Sequence, residues 1–147
     1  TEKTYGNFIL ELEFKVDREL NSGVQIRSEV NASDRVFGYQ VEIDPSARAW
    51  SGGIYDEGRR GWLNDLKKNE PARRAFKQNE WNKLRIEAKG DSIKTWLNGV
   101  AAADLSDSKT PRGFIGLQVH GVGKKTDPLK IRFRNLRIKE LAPNPSK

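Results

Sequence analysis

The sequence predicts an all-β sandwich or jelly roll. Two observations carry this prediction: short runs in which apolar and polar residues alternate, and turn signals between those runs. Almost no stretch shows helical periodicity, and at least eight short strands are expected. We therefore predict two antiparallel sheets that each bury one face, with the polar faces turned outward or into a groove.

The first half of the chain supplies three predicted strands. Residues 8–16 (FILELEFKV) alternate without interruption, and shorter alternating runs follow over 24–28 and 36–44. Pro45 ends the third strand because proline has no backbone N–H to donate. Residues 51–78 are rich in glycine at their start and lack alternation, which predicts a long structured loop with one helical turn. Tyr55 and Trp62 lie on this predicted loop.

The second half returns to strands, predicted over 80–88, 92–97, 100–104, 114–120 and 129–138. Asn98-Gly99 is a strong hairpin signal because both central residues of a type I′ turn have positive φ. In the last run the apolar phase shifts at Asn135, which predicts a β-bulge. We expect residues 1–141 to form one jelly-roll domain and residues 142–147 to be a frayed tail.

The composition suits a globular domain with a sizeable core, since 35% of the 147 residues are hydrophobic and 32% are charged. The formal net charge is +7, from 27 basic and 20 acidic residues. The basic pairs are dispersed and lie near acidic residues, so solvated faces and no nucleic-acid partner are predicted. A polyanion-binding sandwich is kept as a third functional hypothesis. The absence of cysteine excludes disulfides, thiolate metal sites and a cysteine nucleophile.

The apolar runs and the first residues of the chain bear on membrane insertion and export. No run approaches the roughly 18 apolar residues that a membrane span needs. The chain starts with what looks like the interior of a domain, without a signal peptide, so a processed or trimmed start is expected.

The candidate site begins with the run GYQVEID over residues 38–44. Alternate strand residues share a face and lie about 6.6 Å apart, so Gln40, Glu42 and Asp44 are neighbours on one polar face. Two other predicted strands contribute polar side chains, which are Gln25, Arg27, Gln118 and His120. If the three strands share one curved sheet, these seven side chains converge on a concave surface suited to sugar hydroxyls. The alternative is that each is an ordinary solvated strand face.

Several motifs in order along the chain resemble the 3-keto-disaccharide hydrolase family. They are YGNF (5–8), NSGVQIR (21–27), GYQVEID (38–44), EWN (80–82), WLNG (96–99), GLQVHG (116–121) and FRNLRI (133–138). The resemblance implies a concanavalin A-like, laminarinase-like jelly roll of two curved antiparallel sheets. It also implies a bacterial, exported protein, periplasmic or extracellular, that acts on carbohydrate. Two departures are the missing first strand before Tyr5 and a longer loop between His120 and Phe133.

The implied activity is hydrolysis of 3-keto-glycosides by base-assisted elimination and hydration. A ketone at C3 acidifies the C2 hydrogen, so the site needs a base, a group that stabilises the enolate and an acid for the leaving oxygen. We expect His120 and Glu42 to act as base and acid, and Arg27 to stabilise negative charge. The expected substrate-binding residues are Gln25, Gln40, Asp44, Gln118, Tyr55 and Trp62, the last two by stacking on a sugar ring. The alternative is a carbohydrate-binding module without turnover.

Ordinary retaining hydrolysis is not predicted, although Glu42-Ile43-Asp44 resembles the start of the Glu-x-Asp-x-x-Glu motif of laminarinase-type glycosidases. The later Glu is absent, because Pro45-Ser46-Ala47-Arg48 follows. No cofactor is expected, although a divalent cation held by Glu42, Asp44 and His120 is an open alternative.

Overall fold

The computed structural model describes residues 1–119 and 129–143. Within them the chain forms ten strands and one short helix. The elements, in chain order, are β1 (Phe8–Val16), β2 (Ser22–Val30), β3 (Val36–Ile43), β4 (Ile54–Glu57), β5 (Gly61–Asn64), α1 (Glu70–Ala75), β6 (Asn82–Lys89), β7 (Ser92–Leu97), β8 (Val100–Ser106), β9 (Phe114–Val119) and β10 (Ile131–Glu140).

The strands form two five-stranded antiparallel sheets, which confirms the all-β jelly-roll sandwich. The first sheet has the order β10-β1-β6-β7-β8, and the second has the order β5-β4-β3-β2-β9. Alternation within β1 buries Phe8, Leu10 and Leu12 against the second sheet, and the residues between them face outward. Fully burying one such side chain contributes roughly 1.5–3 kcal/mol, so the inward faces hold the sandwich together.

The predicted long loop over residues 51–78 contains two strands and a helix. β4 and β5 pair with each other and extend the second sheet beyond β3. Asp56 in β4 is completely buried and forms ion pairs with Arg59 and Arg60. Because this polar residue occupies an inward position, the sequence of β4 lacks the apolar–polar alternation by which strands were predicted. The helical turn is α1, which Asn69 caps by accepting a hydrogen bond from the Ala72 N–H at 3.2 Å.

A one-residue bulge in β2 changes the direction of Arg27. Ile26 and Glu29, three residues apart, pair with Tyr39 and Phe37, two residues apart, and Arg27 between them has a φ of +44°. Its side chain therefore turns inward and is only 1% exposed. The expectation that Arg27 shares the outward face of Gln25 is wrong for this geometric reason.

The predicted bulge in β10 is confirmed. The pairing of β10 with β1 shifts register between Arg134 and Arg137, and Asn135 has a φ of +54°. The expected start of the chain inside the domain and the division at residue 141 stay predictions; residues 144–147 lie outside the described part. No helix among the described residues is long and apolar enough to cross a membrane.

Candidate functional site

A row of directly paired residues crosses all five strands of the second sheet. Gln25 in β2 pairs with Gln40 in β3 on one side and with Gly116 in β9 on the other. Gln40 pairs in turn with Tyr55 in β4, and Tyr55 with Trp62 in β5. Directly opposed residues of antiparallel strands share a face, so the four predicted binding side chains form one continuous row on the outward face of the second sheet.

The next row along the strands contains Glu42 and Gln118, with Gly23 between them. A Cβ atom on Gly23 would lie 2.7 Å from Cγ of Gln40, so the absence of a side chain leaves the space that Gln40 occupies. The Nε2 atom of Gln40 reaches to 3.5 Å from a carboxyl oxygen of Glu42. The sheet thus brings together Gln25, Gln40, Glu42 and Gln118, as the alternation predicted.

Glu42 is a buried acid on this face, with only 5% of its surface exposed. Burial raises its pKa to about 7, and the nearby Asp44 carboxylate acts in the same direction. A hydrogen bond from Asn21 and the charge of Arg48 oppose part of this rise. A carboxyl group with a pKa near neutrality can both accept and donate a proton at physiological pH.

Asp44 does not present free oxygens to the face. Its Oδ1 accepts from the backbone N–H and the hydroxyl of Ser46, at 3.1 and 2.6 Å. Its Oδ2 accepts from Nε of Arg48 at 2.7 Å and from the Trp50 N–H at 3.1 Å. These hydrogen bonds hold the pKa of Asp44 below its ordinary value despite burial. The structure therefore places Asp44 as the organiser of the β3–β4 loop.

The β3–β4 loop places the basic side chain of Arg48 at this face, and sequence analysis did not identify Arg48 as a site residue. The guanidinium carbon of Arg48 lies 4.3 Å from the ring centroid of Trp50 and 5.2 Å from that of Trp62. Trp62 packs edge-on against both Trp50 and Tyr55, with centroids 5.0 and 5.3 Å apart. Arg48 is thus held at one end of the polar face by Asp44 and two aromatic rings.

Two adjoining cavities lie on this outward face. The first, which we call the Glu42 cavity, has a volume of about 380 Å³ and is lined by Asn21, Gln40, Glu42, Arg48, Tyr55, Glu57, Trp62 and Gln118. The second, which we call the Phe114 cavity, has a volume of about 620 Å³ and lies towards the β2–β3 hairpin. Glu57 and Gln118 line both cavities, so the two form one groove along the strands.

Three buried amide oxygens point to an occupant of this groove. The Oε1 atoms of Gln25, Gln40 and Gln118 have no hydrogen-bond partner among the described residues. Leaving such an acceptor buried and unpaired costs about 1–3 kcal/mol, so native proteins seldom leave one without a ligand or water. Acceptors aligned on a sheet face suit the hydroxyl groups of a sugar.

The remaining predicted site residues have separate outcomes. Arg27 lies between the sheets, where its Nε and Nη2 donate to the Gly6 carbonyl at 2.9 and 2.8 Å and its Nη1 to the Gly90 carbonyl at 2.8 Å. His120 lies outside the described residues, so its role stays a prediction. No cluster of three potential metal ligands occurs in the described ranges, and the divalent cation considered at Glu42, Asp44 and His120 stays untested because His120 lies outside them.

The residues that sequence analysis missed are Asn21, Arg48, Trp50 and Glu57. Arg48 and Trp50 follow the Pro45 that ends the third predicted strand, and alternation says nothing about such a loop. Glu57 was missed with β4 itself. The Glu-Gly pair at 57–58, before a basic run, is a turn signal that a hairpin reading of residues 54–64 could have used.

The fold and site together define a carbohydrate-active jelly roll of the hydrolase-like or carbohydrate-binding kind. The chain belongs to the family of 3-keto-alpha-glucoside-1,2-lyase-like domains, which it matches over residues 1–139. The resemblance read from the motifs is thereby confirmed. No curated protein sequence matches the chain.

Solved structures support the same class. A candidate glycosyl hydrolase from Parabacteroides distasonis is 28% identical, with a TM-score of 0.67, over 96% of this chain and 81% of that one. The carbohydrate-binding module CBM66 from Bacillus subtilis shares the fold, at 17% identity and a TM-score of 0.67 over 95% of this chain and 78% of the module. An alginate lyase from Corynebacterium sp. also shares it, at 13% identity and a TM-score of 0.56 over 93% of this chain and 61% of the lyase.

Proposed function

We propose that the protein cleaves 3-keto-glycosides by elimination, with the keto-sugar bound in the Glu42 cavity. The observation that carries the proposal is a buried carboxyl group with a pKa of about 7 beside a fixed guanidinium group, in a cavity lined by unpaired amide acceptors. Neither a retaining mechanism nor a metal-assisted mechanism requires this arrangement. Elimination next to a ketone does, because it needs a base, a cation for the enolate and a proton donor.

Glu42 in its ionised form removes the proton from C2 of the bound keto-sugar. The electrons of the C2–H bond form an enolate with the C3 carbonyl, and Arg48 stabilises the negative oxygen in the role expected of Arg27. The enolate then re-forms the ketone as the C1–O bond breaks, which leaves a double bond between C1 and C2. The leaving oxygen takes a proton, for which protonated Glu42 is a donor. Addition of water across the double bond yields the free 3-keto-sugar.

The other groups of the cavity bind the sugar. Oε1 of Gln40 accepts from a ring hydroxyl beside the reacting carbon, and that of Gln118 accepts from a hydroxyl on the far side of Gly23. Tyr55 and Trp62 provide an aromatic wall at the edge of the sheet. Apolar ring faces and positioned acceptors are the usual means by which proteins hold pyranoses.

A second candidate function is carbohydrate binding without turnover. It is favoured by the shared fold with the Bacillus subtilis carbohydrate-binding module, and by the lack of a free second carboxylate next to Glu42 in the part of the chain that the structure describes. Asp44 cannot be that partner, because four donors occupy its oxygens. Glu57 is four residues away in the pairing register, roughly 13 Å along the strand and beyond the 5–5.5 Å of a retaining pair.

The two functions are separated by incubating the protein with 3-keto-trehalose and measuring release of free sugar. We expect turnover, and a fall of about 10³-fold in kcat in Glu42→Gln, which keeps the side-chain shape but cannot transfer the proton. Glu13→Gln, a change of the same kind on the outward face of the first sheet, is the matched control and should leave kcat unaltered. Binding of the disaccharide without release of sugar by the wild type refutes the elimination and supports the binding module.

We further propose that the reaction needs no cofactor and that the protein acts outside the cytoplasm, as its family resemblance implied. Dialysis against EDTA should leave kcat unchanged, and restoration of lost activity by Mn²⁺ or Ca²⁺ would contradict a cofactor-free reaction. Fractionation of the producing cells tests the location, because recovery in the cytoplasm alone refutes export.

A further inference from the structure

The Phe114 cavity is larger than the Glu42 cavity, and the proposed elimination leaves it without a role. It continues from the Glu42 cavity through Gln118 and Glu57, towards the β2–β3 hairpin. From Glu42 to Gly38 the β3 strand covers four residues, which is about 13 Å along the groove. A ligand bound over Glu42 therefore has room to extend along the strands into the Phe114 cavity.

Gly116 forms an open floor in the Phe114 cavity. A Cβ atom built there would make ordinary contacts, 3.4 Å from the Phe114 ring and 3.8 Å from Cβ of Gln25. The backbone does not require glycine, since the φ of Gly116 is outside the left-handed region. The missing side chain thus keeps space open above the sheet, as glycine does where a ligand approaches a strand closely.

A residue that lines the same cavity carries an unpaired buried acceptor. Gln25, 5% exposed, donates from Nε2 to Oγ of Ser28 at 3.1 Å. That hydroxyl donates to the Ile26 carbonyl at 2.8 Å and can only accept from Gln25, which fixes the orientation of the amide. Oε1 of Gln25 is therefore the unpaired end of the amide, and it is buried without a partner among the described residues.

The walls of the Phe114 cavity are more apolar than those of the Glu42 cavity. The half-buried Phe114 ring lies beside Gly116, and Val36 and Leu117, which are 39% and 41% exposed, complete the apolar lining. A second pyranose would leave this surface poorly matched. A flat apolar group that carries one hydroxyl donor would cover the ring and satisfy Oε1 of Gln25 together.

We propose that the Phe114 cavity is the subsite for the leaving group of the glycoside, and that it selects an aromatic or otherwise flat, apolar aglycone. This inference rests on the proposed function, which places the keto-sugar over Glu42. The keto-sugar occupies the Glu42 cavity, the scissile C1–O bond lies near Gln118, and the aglycone lies over Gly116 against Phe114.

The test compares methyl and benzyl 3-keto-α-glucosides, whose leaving groups are both alkoxides of simple alcohols. We expect kcat/KM to be about 10-fold higher for the benzyl compound, mainly through KM. Gly116→Leu fills the floor and should bring the benzyl value down to that of the methyl compound, with the methyl value unchanged within about twofold. Phe114→Ala should act in the same direction and serves as the second variant if Gly116→Leu does not fold. Trp96→Ala, which removes an aromatic ring from the outward face of the first sheet, is the control.

A binding measurement separates failure of this inference from failure of the proposed function. Calorimetric titration with benzyl and methyl α-glucosides, which cannot undergo the elimination, reports the subsite alone. Tighter binding of the benzyl compound that Gly116→Leu or Phe114→Ala abolishes supports the subsite, even if no keto-glycoside is turned over. Equal affinities of the wild type for the two compounds, or a benzyl preference that survives both variants, overturns it.

Discussion

The outward faces of the two sheets differ in how they satisfy their polar groups. On the first sheet, Glu11 pairs with Arg85 at 2.5 Å and with Lys83 at 3.4 Å, and its side chain is 27% exposed. On the second sheet, Glu42 is buried and lies next to amide groups whose oxygens lack partners among the described residues. Glu11 on the first face is thus satisfied by ion pairs of its own, whereas the second face holds buried acceptors without partners among the described residues. This difference is the reason for proposing that a ligand binds to the second face.

Arg27 and Arg48, the two arginines considered for the site on the second sheet, also differ in how their charges are used. Arg27 is buried between the sheets with its donors directed at backbone carbonyls, and Arg48 is a loop residue stacked on tryptophan at the site. Arg27 therefore stabilises the sandwich, whereas Arg48 lines the Glu42 cavity and is the cation to which we assign a role in the proposed reaction. Four predictions, ordered by expected effect, test this contrast.

Replacing Arg27 should weaken the fold and spare the site. Arg27→Met leaves the Gly6 and Gly90 carbonyls without their buried donor, so the free energy of unfolding should fall by about 3–4 kcal/mol. Urea denaturation measures this loss. The folded variant should retain the kcat of the wild type. A fall in kcat as large as that expected for Arg48→Ala would mean that Arg27 belongs to the site.

Ionisation of Glu42 should make stability depend on pH. Because its pKa is raised from 4.5 to about 7, the folded protein keeps a proton that the unfolded chain has already released across this window. Stability should therefore decline as pH rises from about 4.5 to above 7, by about 3 kcal/mol. Glu42→Gln should lack this decline in urea denaturation across the range. An identical pH profile in the variant would show that Glu42 titrates normally.

Removing the loop cation should lower turnover moderately. Arg48→Ala should reduce kcat on 3-keto-trehalose by about 10–30-fold, less than for a fully enclosed donor because its side chain is 40% exposed. Arg48→Lys should recover only part of this loss, since an ammonium group keeps the charge but not the stacking on Trp50. Unchanged kcat in Arg48→Ala would remove Arg48 from the mechanism.

The outward face of the first sheet should tolerate substitution. Arg85→Ala removes an ion pair with Glu11 that is open to solvent, so we expect less than about 1 kcal/mol of lost stability. Turnover and sugar affinity should not change. A loss of affinity for 3-keto-trehalose would mean that the first sheet takes part in binding, and the contrast between the faces would fail.

Much of this contrast could be predicted from alternation alone. The run over residues 38–44 correctly placed Gln40 and Glu42 on one outward face, and Gln25 and Gln118 joined them from neighbouring strands. β4 and β5 were hidden because buried Asp56 occupies an inward position where an apolar residue was expected. Tyr55 and Trp62 were therefore assigned to a loop; they line the same cavity as Glu42, and their binding of sugar stays a prediction.

The errors at the two arginines have a different cause. Alternation assigns faces only while every residue advances the strand equally, and the single extra residue at the β2 bulge reverses the direction of Arg27. Arg48 lies in a loop whose path depends on the contacts of Asp44, which no local pattern encodes. The role assigned to His120 stays a prediction.

The attachment of Arg48 to a loop has a consequence for how such a site can evolve. The charge at the end of the groove comes from residues 45–53, which carry no part of the β-ladder between β3 and β2. Exchange of residues 45–50 of this connection can therefore change the charge at this end, while Glu42 stays in register through its pairing with Gly23 and its hydrogen bonds with Gly52 and Gly53. The charge at the end of the groove and the acid in its floor are thus carried by separate segments of the chain, which can vary independently.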